Sequence, residues 1–289
     1  MYKIAIIGSE NSHCGHFAAT LAPKNGEKRF PELELIGVCG DDASNEAVAK
    51  NCACEWYTND PKAFLGKVDC VMVTSRHGGV HLEYARPYIE AGCDVWIDKP
   101  ITASVEDAHE MVRLVKENGV LLCGGSSLAG AAGTVKMKEF AAANADKISG
   151  GHVTAPINLV NEYGNFWFYS QHLVQMITEV FGQNIQSVEA KMNPAGTGTH
   201  AIYHYPNFDV TAFFGAGYSI TVYTGGYGAT CEAIELGGDY FMPELTETNN
   251  MLTARHVRQT PEEVVYPVLI LDATIRALES GKTEDVVAL

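Results

Sequence analysis

The sequence predicts an α/β protein in which an N-terminal, doubly wound parallel sheet is followed by a C-terminal α+β domain built on a mainly antiparallel sheet. As far as Gly124, short continuous apolar runs alternate with amphipathic segments, which is typical of parallel strands covered on both faces. Beyond this point, strands follow in close succession with turn signals between them. We expect two domains, residues 1–124 and 125–289, which fits a chain of 289 residues.

The first part predicts a series of strands and helices in alternation. The expected strands are Ile4–Ile7, Leu33–Val38, Val71–Val73, Val95–Ile97 and Val120–Leu122, and the expected helices after the first turn are Asp42–Asn51, His81–Ala91 and Val105–Asn118. Gly92 and Gly119 follow two of these helices, at the position where a left-handed residue commonly ends a helix.

The second part predicts an antiparallel meander between helices. The expected helices are Thr134–Ala143, Tyr169–Phe181 and Pro261–Ser280, and the expected strands are Ile148–Ile157, Ile185–Met192, His200–Tyr205, Asp209–Phe214, Tyr218–Thr224 and Thr230–Leu236. The alternation in Tyr218–Thr224 leaves both faces of the sheet partly apolar. We therefore expect a homodimer or homotetramer.

The charge balance limits the partners that the chain can bind. Asp and Glu number 35 against 20 Lys and Arg, a net charge of -15, so phosphate polymers and anionic lipid surfaces are repelled. No apolar run is long enough to span a membrane, and the first apolar run is broken at Gly8, too early for a signal peptide. We expect a cytoplasmic protein that binds neither nucleic acid nor membranes.

Cysteine and histidine pairs raise the question of a metal or redox site. Cys52 and Cys54 are close in sequence, but no second Cys pair or His at zinc-finger spacing accompanies them. The His pairs 13 and 16, 77 and 81, and 200 and 204 have no acidic residue that completes a ligand set. We expect free thiols and no bound metal.

The turn after the first strand, Gly8-Ser9-Glu10-Asn11-Ser12-His13, stands where a dinucleotide fold holds a pyrophosphate. Of the Gly-x-Gly-x-x-Gly pattern only Gly8 is present, because Glu10 and His13 occupy the second and third glycine positions. Ser9, Asn11 and Ser12 remain candidate contacts. Ser12 is the expected cap of the following helix, whose first amides attract anions.

Two aspartates follow the second strand. Asp41 and Asp42 are placed to accept hydrogen bonds from the adenosine ribose, which favours NAD over NADP because a 2'-phosphate would be repelled. The alternative is that either residue only caps the next helix. Since there are two, both interpretations can hold.

The fourth predicted strand ends in Asp98-Lys99-Pro100 and is followed by Val105-Glu106-Asp107-Ala108. A Lys at the carboxyl end of a buried parallel strand lies at the crevice where α/β proteins bind ligands. This segment resembles the glucose-fructose oxidoreductase and inositol dehydrogenase family (Gfo/Idh/MocA), in which a Gly-x-x-Val strand ends in Glu-Lys-Pro or Asp-Lys-Pro before a helix rich in Glu and Ala. The resemblance covers nearly the whole chain.

The resemblance implies a Rossmann domain that binds a nicotinamide cofactor and hydride transfer at a hydroxyl carbon of a sugar, polyol or related small molecule. Lys99 corresponds to the catalytic lysine of the family, with Thr74 and Pro100 beside the cofactor. His172 corresponds to the catalytic histidine of an Asp-x-x-x-His-x-x-Asp pattern. Phe168 and Gln175 replace both aspartates of that pattern.

The resemblance also suggests where substrate binds. Tyr163, Asn165, Trp167 and Tyr169 would line the pocket, and Arg76 would lie near the nicotinamide or an acidic substrate. Lys99 and His172 would then share a cleft between the two domains. The alternative for the aromatic residues is a place in the core.

Three hypotheses follow. The first is an NAD-dependent dehydrogenase. The second is a redox-inactive relative that serves as a ligand sensor or partner subunit, which Glu10, His13, Phe168 and Gln175 motivate. The third is a lyase or isomerase that uses tightly bound NAD transiently.

Overall fold

The computed structural model describes residues 1–237 and 239–289. The chain forms two compact units. Unit 1 comprises Met1–Gly125 and Phe241–Val265, and unit 2 comprises Ser126–Tyr240 and Tyr266–Leu289. Our expected division near residue 124 placed everything after it in the second domain, whereas residues 241–265 return to the first unit.

Helices and strands alternate through the first half of the chain, and strands predominate between residues 187 and 233. In chain order they are β1 (Tyr2–Ile7), α1 (Ser12–Leu21), β2 (Leu33–Cys39), α2 (Asp42–Ala49), β3 (Tyr57–Thr58), β4 (Cys70–Val73), α3 (His81–Glu90), β5 (Asp94–Asp98), α4 (Val105–Asn118), β6 (Leu122–Gly125), α5 (Ala132–Ala143), β7 (Ile148–Ala155), α6 (Phe166–Phe181), β8 (Ser187–Met192), β9 (Thr199–His204), β10 (Asp209–Phe214), β11 (Ser219–Thr224), β12 (Gly228–Ala233), α7 (Met242–Ala254), α8 (Pro261–Ser280) and β13 (Glu284–Asp285). Short 3-10 turns precede α3, α5 and β7.

Unit 1 is built on a parallel sheet with strand order β3-β2-β1-β4-β5-β6. β4 and β5 are buried along their whole length, as continuous apolar strands between two helical layers require. The order reverses between β1 and β4, and ligands of such sheets bind at the carboxyl ends beside this switch. The doubly wound parallel fold expected from the sequence is confirmed.

α7 was not predicted. Its buried residues recur at helical spacing, but two of the five, Glu244 and Thr248, are polar, so the apolar stripe that identifies a helix is interrupted. The ring of Phe241, just before this helix, lies 4.8 Å from the His13 ring and 5.5 Å from the Phe17 ring of α1. These contacts hold the returning segment in unit 1.

Unit 2 is built on a second sheet with strand order β12-β11-β7-β10-β9-β8-β13. All neighbouring strands are antiparallel except β7 and β10, which run parallel. The mainly antiparallel sheet is confirmed, but the simple meander is wrong, because β7 separates β10 from β11. A side chain at Gly151 would lie 2.2 Å from the Phe181 ring, so this central strand needs a glycine there and loses the apolar pattern of its neighbours.

One face of this second sheet is covered by helices. Val153, Val210, Ile220 and Val222 are fully buried against the apolar face of α6 and the second half of α8. Between them, outward-facing residues such as Tyr223 are 40% exposed. No helix in the described part of the chain combines the length and apolarity needed to cross a membrane.

Candidate functional site

The turn between β1 and α1 is shaped by Gly8. Its φ of 111° is unfavourable for other residues, and a side chain there would lie 2.3 Å from the backbone nitrogen of Ser75. Gly8 therefore allows the backbone that follows β1 to lie close to the backbone that follows β4. The Ser9 hydroxyl is buried against Gly40 and has no hydrogen-bond partner among the described residues.

Asn11, rather than Ser12, caps α1. Our expectation for Ser12 was wrong, because Asn11 has extended backbone and its side-chain oxygen accepts the His13 N–H at 3.1 Å, while Ser12 is already helical. The Asn11 amide also donates to the Thr74 carbonyl at 2.7 Å and to Asp98 at 3.0 Å. One side chain thus ties the turn to the ends of β4 and β5.

Glu10 occupies the second glycine position of the pattern. Its carboxylate accepts the backbone N–H of Arg76 at 3.1 Å, so it anchors the loop after β4. This contact explains how a bulky acid is accommodated in the turn. Its negative charge nevertheless stays at the end of α1 where an anionic cofactor would bind.

A pocket of about 500 Å³ opens beside this turn. It runs between α1 and α2, and its lining includes Ser9, Glu10, Asn11, Ser12, Ser44 and Arg76. Backbone groups and small side chains at a helix start, with one cation nearby, are the donors that bind phosphates in dinucleotide folds. These features fit a dinucleotide, with Glu10 as the one unfavourable charge.

The two aspartates after β2 have different partners. Asp41 caps α2 by accepting the backbone N–H and the hydroxyl of Ser44, at 2.9 and 2.7 Å, and these hydrogen bonds lower the pKa of Asp41. Asp42 accepts the side-chain amide of Asn59 at 3.0 Å. Both carboxylates are exposed at the end of β2, so both remain available to a ribose.

A buried polar cluster lies where β5 ends. Asp98 is fully buried, accepts the Lys99 N–H at 2.7 Å, and its other oxygen lies 2.7 Å from His13 Nδ1. Lys99 is 4% exposed, and burial lowers its pKa. The charge of Arg76 lowers that pKa further, whereas Asp98 and Glu244 raise it.

Glu244 was not identified from the sequence. It is 8% exposed, and neither carboxylate oxygen has a hydrogen-bond partner among the described residues. Burial raises its pKa well above the usual carboxyl range, and the charge of Asp98 raises it further, while Lys99 lowers it. The sequence carries no motif around Glu244, so only the return of α7 to unit 1 reveals it.

Other predicted residues of unit 1 have structural partners. The Thr74 hydroxyl donates to the carbonyls of Ile7 and Gly8, at 3.1 and 3.0 Å, and joins β4 to the turn. Pro100 lies against Gly78, where a side chain would approach it within 2.5 Å. Thr74 and Pro100 therefore fix the backbone at the ends of β4 and β5.

His81 begins α3 and is fully buried. Its ring nitrogens lie 2.6 Å from the Ser75 carbonyl and 3.3 Å from the Ile101 carbonyl, and burial lowers its pKa. It connects the loops after β4 and β5. His77 instead caps the 3-10 turn by accepting the Gly79 N–H at 2.9 Å.

His172 is 5% exposed in α6 of unit 2. Its Nδ1 atom lies 2.6 Å from the Ser126 hydroxyl, and its ring meets Tyr169 edge-on at 4.8 Å. Gln175, at the position of the second aspartate, accepts the Ser126 N–H at 2.7 Å. Ser126 therefore contacts both His172 and Gln175, which stand at the histidine and the second aspartate position of the family pattern.

The predicted substrate residues of unit 2 lie in one loop and the start of α6. Asn165 has a φ of 53°, and its side-chain oxygen accepts the Asn161 N–H at 3.1 Å, so it holds the loop. Tyr163 contacts the Phe168 ring at 4.9 Å. The Tyr169 hydroxyl accepts a hydrogen bond from Tyr218 at 3.3 Å, and Trp167 packs against the core of unit 2.

All eight cysteines are free, and Cys52 and Cys54 are buried. Residues 1–237 and 239–289 contain no group of three or more His, Cys, Asp or Glu side chains arranged to hold a metal ion.

Comparison with known proteins gives matches of two kinds. Residues 2–126 match the family model described as "Oxidoreductase family, NAD-binding Rossmann fold" (GFO_IDH_MocA). A D-glucoside 3-dehydrogenase from Escherichia coli (strain K12) is 31% identical over 123 residues, which are 42% of this chain and 33% of that protein. The matched segments span 17 to 33% of the curated relatives' own lengths.

Two solved structures share the fold over nearly the whole chain. GenD2 from gentamicin A biosynthesis, in complex with NAD, has a TM-score of 0.83 at 17% identity and covers 99% of this chain and 97% of its own. The scyllo-inositol dehydrogenase of Lactobacillus casei, with bound NAD(H) and scyllo-inositol, has a TM-score of 0.80 at 15% identity, with both chains fully covered. At these identities the likeness is one of fold.

Proposed function

We propose a dehydrogenase function from one premise: residues 2–126 match the Gfo/Idh/MocA model of oxidoreductases with an NAD-binding Rossmann fold. The reaction is the exchange of hydride between NAD and a hydroxyl carbon of a sugar, polyol or related small molecule. The observation that carries the proposal is Lys99, buried at the carboxyl end of β5 beside an Asp98 that Asn11 joins to the β1–α1 turn. This arrangement places a titratable group at the usual ligand edge of the sheet.

Unit 1 would hold the cofactor. Gly8, Ser9, Asn11 and Ser12 would contact the pyrophosphate, and Asp41 or Asp42 the adenosine ribose, with Thr74 and Pro100 shaping the nicotinamide end. When bound, NAD supplies the hydride acceptor for the substrate carbon. The two exposed carboxylates favour NAD, because the phosphate of NADP would meet like charge.

Lys99 and His172 would carry the proton chemistry. We assign Lys99 to a hydrogen bond with the reacting hydroxyl and His172 to removal of its proton. Because His172 Nδ1 lies against the Ser126 hydroxyl, Nε2 is the atom that we assign to this transfer. Tyr163, Asn165 and Tyr169 would contact substrate, and Arg76 would recognise an acidic group.

The experiment is cofactor binding followed by turnover. Calorimetry with NAD should give binding at or below millimolar concentration, and NADH absorbance should rise with scyllo-inositol or a methyl glucoside. Both Lys99→Ala and His172→Ala should abolish turnover, while Lys62→Ala, an exposed lysine of unit 1, should not. Absence of NAD and NADP binding in a folded sample would refute the proposal.

A redox-inactive ligand sensor is the second candidate. It is favoured by Glu10 in the cofactor turn and by Phe168 and Gln175 in place of two aspartates. A sensor should bind a sugar or polyol without producing NADH at any pH. Turnover that is lost in both Lys99→Ala and His172→Ala would exclude it.

We further propose that the protein is a cytoplasmic homodimer or homotetramer that binds neither nucleic acid nor membranes. The outward face of the unit 2 sheet, which includes the 40% exposed Tyr223, supports association, and the net charge of -15 opposes binding to anionic polymers. Sedimentation velocity at micromolar concentration should give an assembly, and a monomer would contradict this proposal.

A further inference from the structure

Four polar residues are buried where α6 meets the 3-10 turn that precedes α5. They are Ser126, Gln171, His172 and Gln175, and none is more than 5% exposed. A buried polar side chain destabilises a fold unless it is hydrogen-bonded, so the partners of these residues indicate why an otherwise apolar part of α6 carries them.

The side-chain oxygen of Gln175 accepts two hydrogen bonds. The Ser126 backbone N–H donates to it at 2.7 Å, and the side-chain amide of Gln171, one turn earlier on α6, donates to it at 3.2 Å. Because both neighbours are donors, the oxygen of the Gln175 amide must face them, and the side chain is held in one orientation. Gln175 thus fixes the backbone at Ser126.

The Ser126 hydroxyl extends this contact to His172. It lies 2.6 Å from Nδ1 and accepts the Leu128 N–H at 3.2 Å. For Nε2 to accept a proton from substrate, Nδ1 must carry one, which it then donates to the hydroxyl. Gln175 holds the backbone of Ser126 and Leu128 holds its hydroxyl, so both determine where the imidazole points.

The groups that orient the imidazole are uncharged. The titratable groups whose rings contact it are Tyr169 of α6, at 4.8 Å, and Tyr218 just before β11, at 6.2 Å. Burial raises the pKa of Tyr218, so its hydroxyl stays neutral. Lys138 of α5 pairs at 2.6 Å with Glu179, one turn beyond Gln175, and compensates that charge.

We propose that Gln175 is a positioning residue that acts on His172 through Ser126. Its amide oxygen holds the Ser126 backbone, so that the hydroxyl orients the imidazole without a negative charge beside it. This role rests on the proposed dehydrogenase function, in which Nε2 removes the hydroxyl proton of the substrate. A carboxylate at position 175 could accept the same two hydrogen bonds, but it would favour the imidazolium, which cannot act as the base.

The first test needs no substrate. NMR titration of the histidine ring signals in the full chain gives the midpoint for His172, whose signal is assigned from its loss in His172→Gln. Gln175→Glu should move this midpoint upward by about 0.5 pH unit or more, because the new carboxylate favours the imidazolium. Gln186→Glu is the matched control, since it adds the same charge at an exposed position of unit 2, where solvent and salt screen it. An unchanged midpoint in Gln175→Glu would overturn the proposal.

The second test measures the contact between Gln175 and Ser126 and also serves if the glutamate variant fails to fold. Gln175→Met keeps an unbranched side chain but removes the acceptor, so the Ser126 amide proton should exchange with deuterium about fivefold faster. The amides of β10 are the reference for the overall stability of unit 2, because this strand lies between two others. Equal acceleration at Ser126 and in β10 would count against the proposal.

The third test is the pH dependence of turnover with NAD and scyllo-inositol. In Gln175→Glu the acidic limb of the kcat profile should move to higher pH, and kcat should return to near the wild-type value at alkaline pH, where the imidazole is neutral and still oriented. Gln175→Met should lower kcat about tenfold at every pH with little change in KM. A residue with a structural role alone would not move the acidic limb, so a Gln175→Glu profile that superimposes on the wild type refutes the inference.

These tests separate the inference from the function on which it rests. An active dehydrogenase with an unchanged His172 midpoint and unchanged Ser126 exchange means that Gln175 does not act through Ser126. A moved midpoint and faster exchange in a protein that oxidises no sugar or polyol mean that the contacts are correct and the dehydrogenase proposal is wrong. The catalytic purpose of Gln175 is then wrong with it.

Discussion

His172 Nδ1 and the Ser126 hydroxyl lie 2.6 Å apart in unit 2. The same hydroxyl accepts the Leu128 N–H at 3.2 Å, which fixes its position at the start of a 3-10 turn. A neutral hydroxyl orients the imidazole but stabilises its charged form less than an aspartate would. The proposed base of this protein is thus oriented by a group with a weaker electrostatic effect.

Ser126→Ala should lower kcat about tenfold, because loss of a buried hydrogen bond leaves the His172 ring less well oriented. KM should change little. Ser170→Ala is the matched control, since the Ser170 hydroxyl is buried in the same helix as His172 and has no partner among the described residues. Equal losses in both variants would show that Ser126 has no specific role.

Glu10→Gln should strengthen NAD binding about threefold at low ionic strength. The amide retains an oxygen that accepts the Arg76 N–H, while the negative charge beside the α1 start is removed. Fluorescence titration with NADH at low and high salt measures the effect, which should shrink as salt screens the charge. Glu46→Gln, a change on the exposed surface of α2, should leave affinity unchanged.

The double variant Asp41→Asn, Asp42→Asn should reduce the preference for NAD over NADP about tenfold, because the 2'-phosphate no longer meets two carboxylates. Loss of the Asp41 cap should also destabilise the protein by roughly 1 kcal/mol or less, since asparagine is itself a good cap. Dissociation constants for NADH and NADPH measure the preference. An unchanged ratio would mean that neither aspartate faces the ribose.

Arg76→Met should raise KM for an acidic sugar about tenfold and leave that for the neutral analogue unchanged. D-glucuronate and D-glucose form a suitable pair, since they differ in one carboxylate, which a guanidinium binds by charge-assisted hydrogen bonds. Steady-state kinetics with NAD measure both. Equal changes for the two sugars would place Arg76 at the cofactor instead.

Stability should depend on pH through Glu244. Since folding raises its pKa, the folded state favours the protonated form, and the free energy of unfolding falls as pH rises from the unfolded value of about 4.3 toward the folded value. Glu244→Gln lacks this loss and should be more stable than the wild type at pH 8, by about 1.4 kcal/mol for each unit of pKa shift. At pH 4 the difference should be smallest, and urea unfolding at both pH values checks it.

The candidate site residues that follow the parallel strands could be predicted from the sequence. Gly8, Asp41 and Lys99 follow buried apolar runs, and the carboxyl ends of parallel strands meet at one edge whatever the loops do. The side-chain partners could not be predicted in this way. Asp98 contacts His13 and Asn11, which lie more than eighty residues earlier in the chain. Ser126 contacts His172 only because unit 2 folds and brings the two side chains together.

The place of Glu244 in unit 1 could not be predicted from the sequence either. Periodicity identifies a helix by its apolar stripe, and a buried acid within that stripe weakens the signal that would have located α7. The parallel pairing of β7 with β10 was not predicted for a related reason, since Gly150 and Gly151 interrupt the alternation of apolar and polar residues in β7. Residues that a functional site or a close backbone contact requires thus weaken the periodic sequence pattern from which helices and strands are predicted.

The return of residues 241–265 to unit 1 has a consequence for synthesis. At about 5–20 residues per second, a ribosome needs on the order of ten seconds to make residues 126–240 after the first segment has emerged. During that interval the parallel sheet is without α7, and the Lys99 side chain is without Glu244. The nascent first segment must therefore persist as an incomplete domain, open to chaperones, until the chain passes Val265.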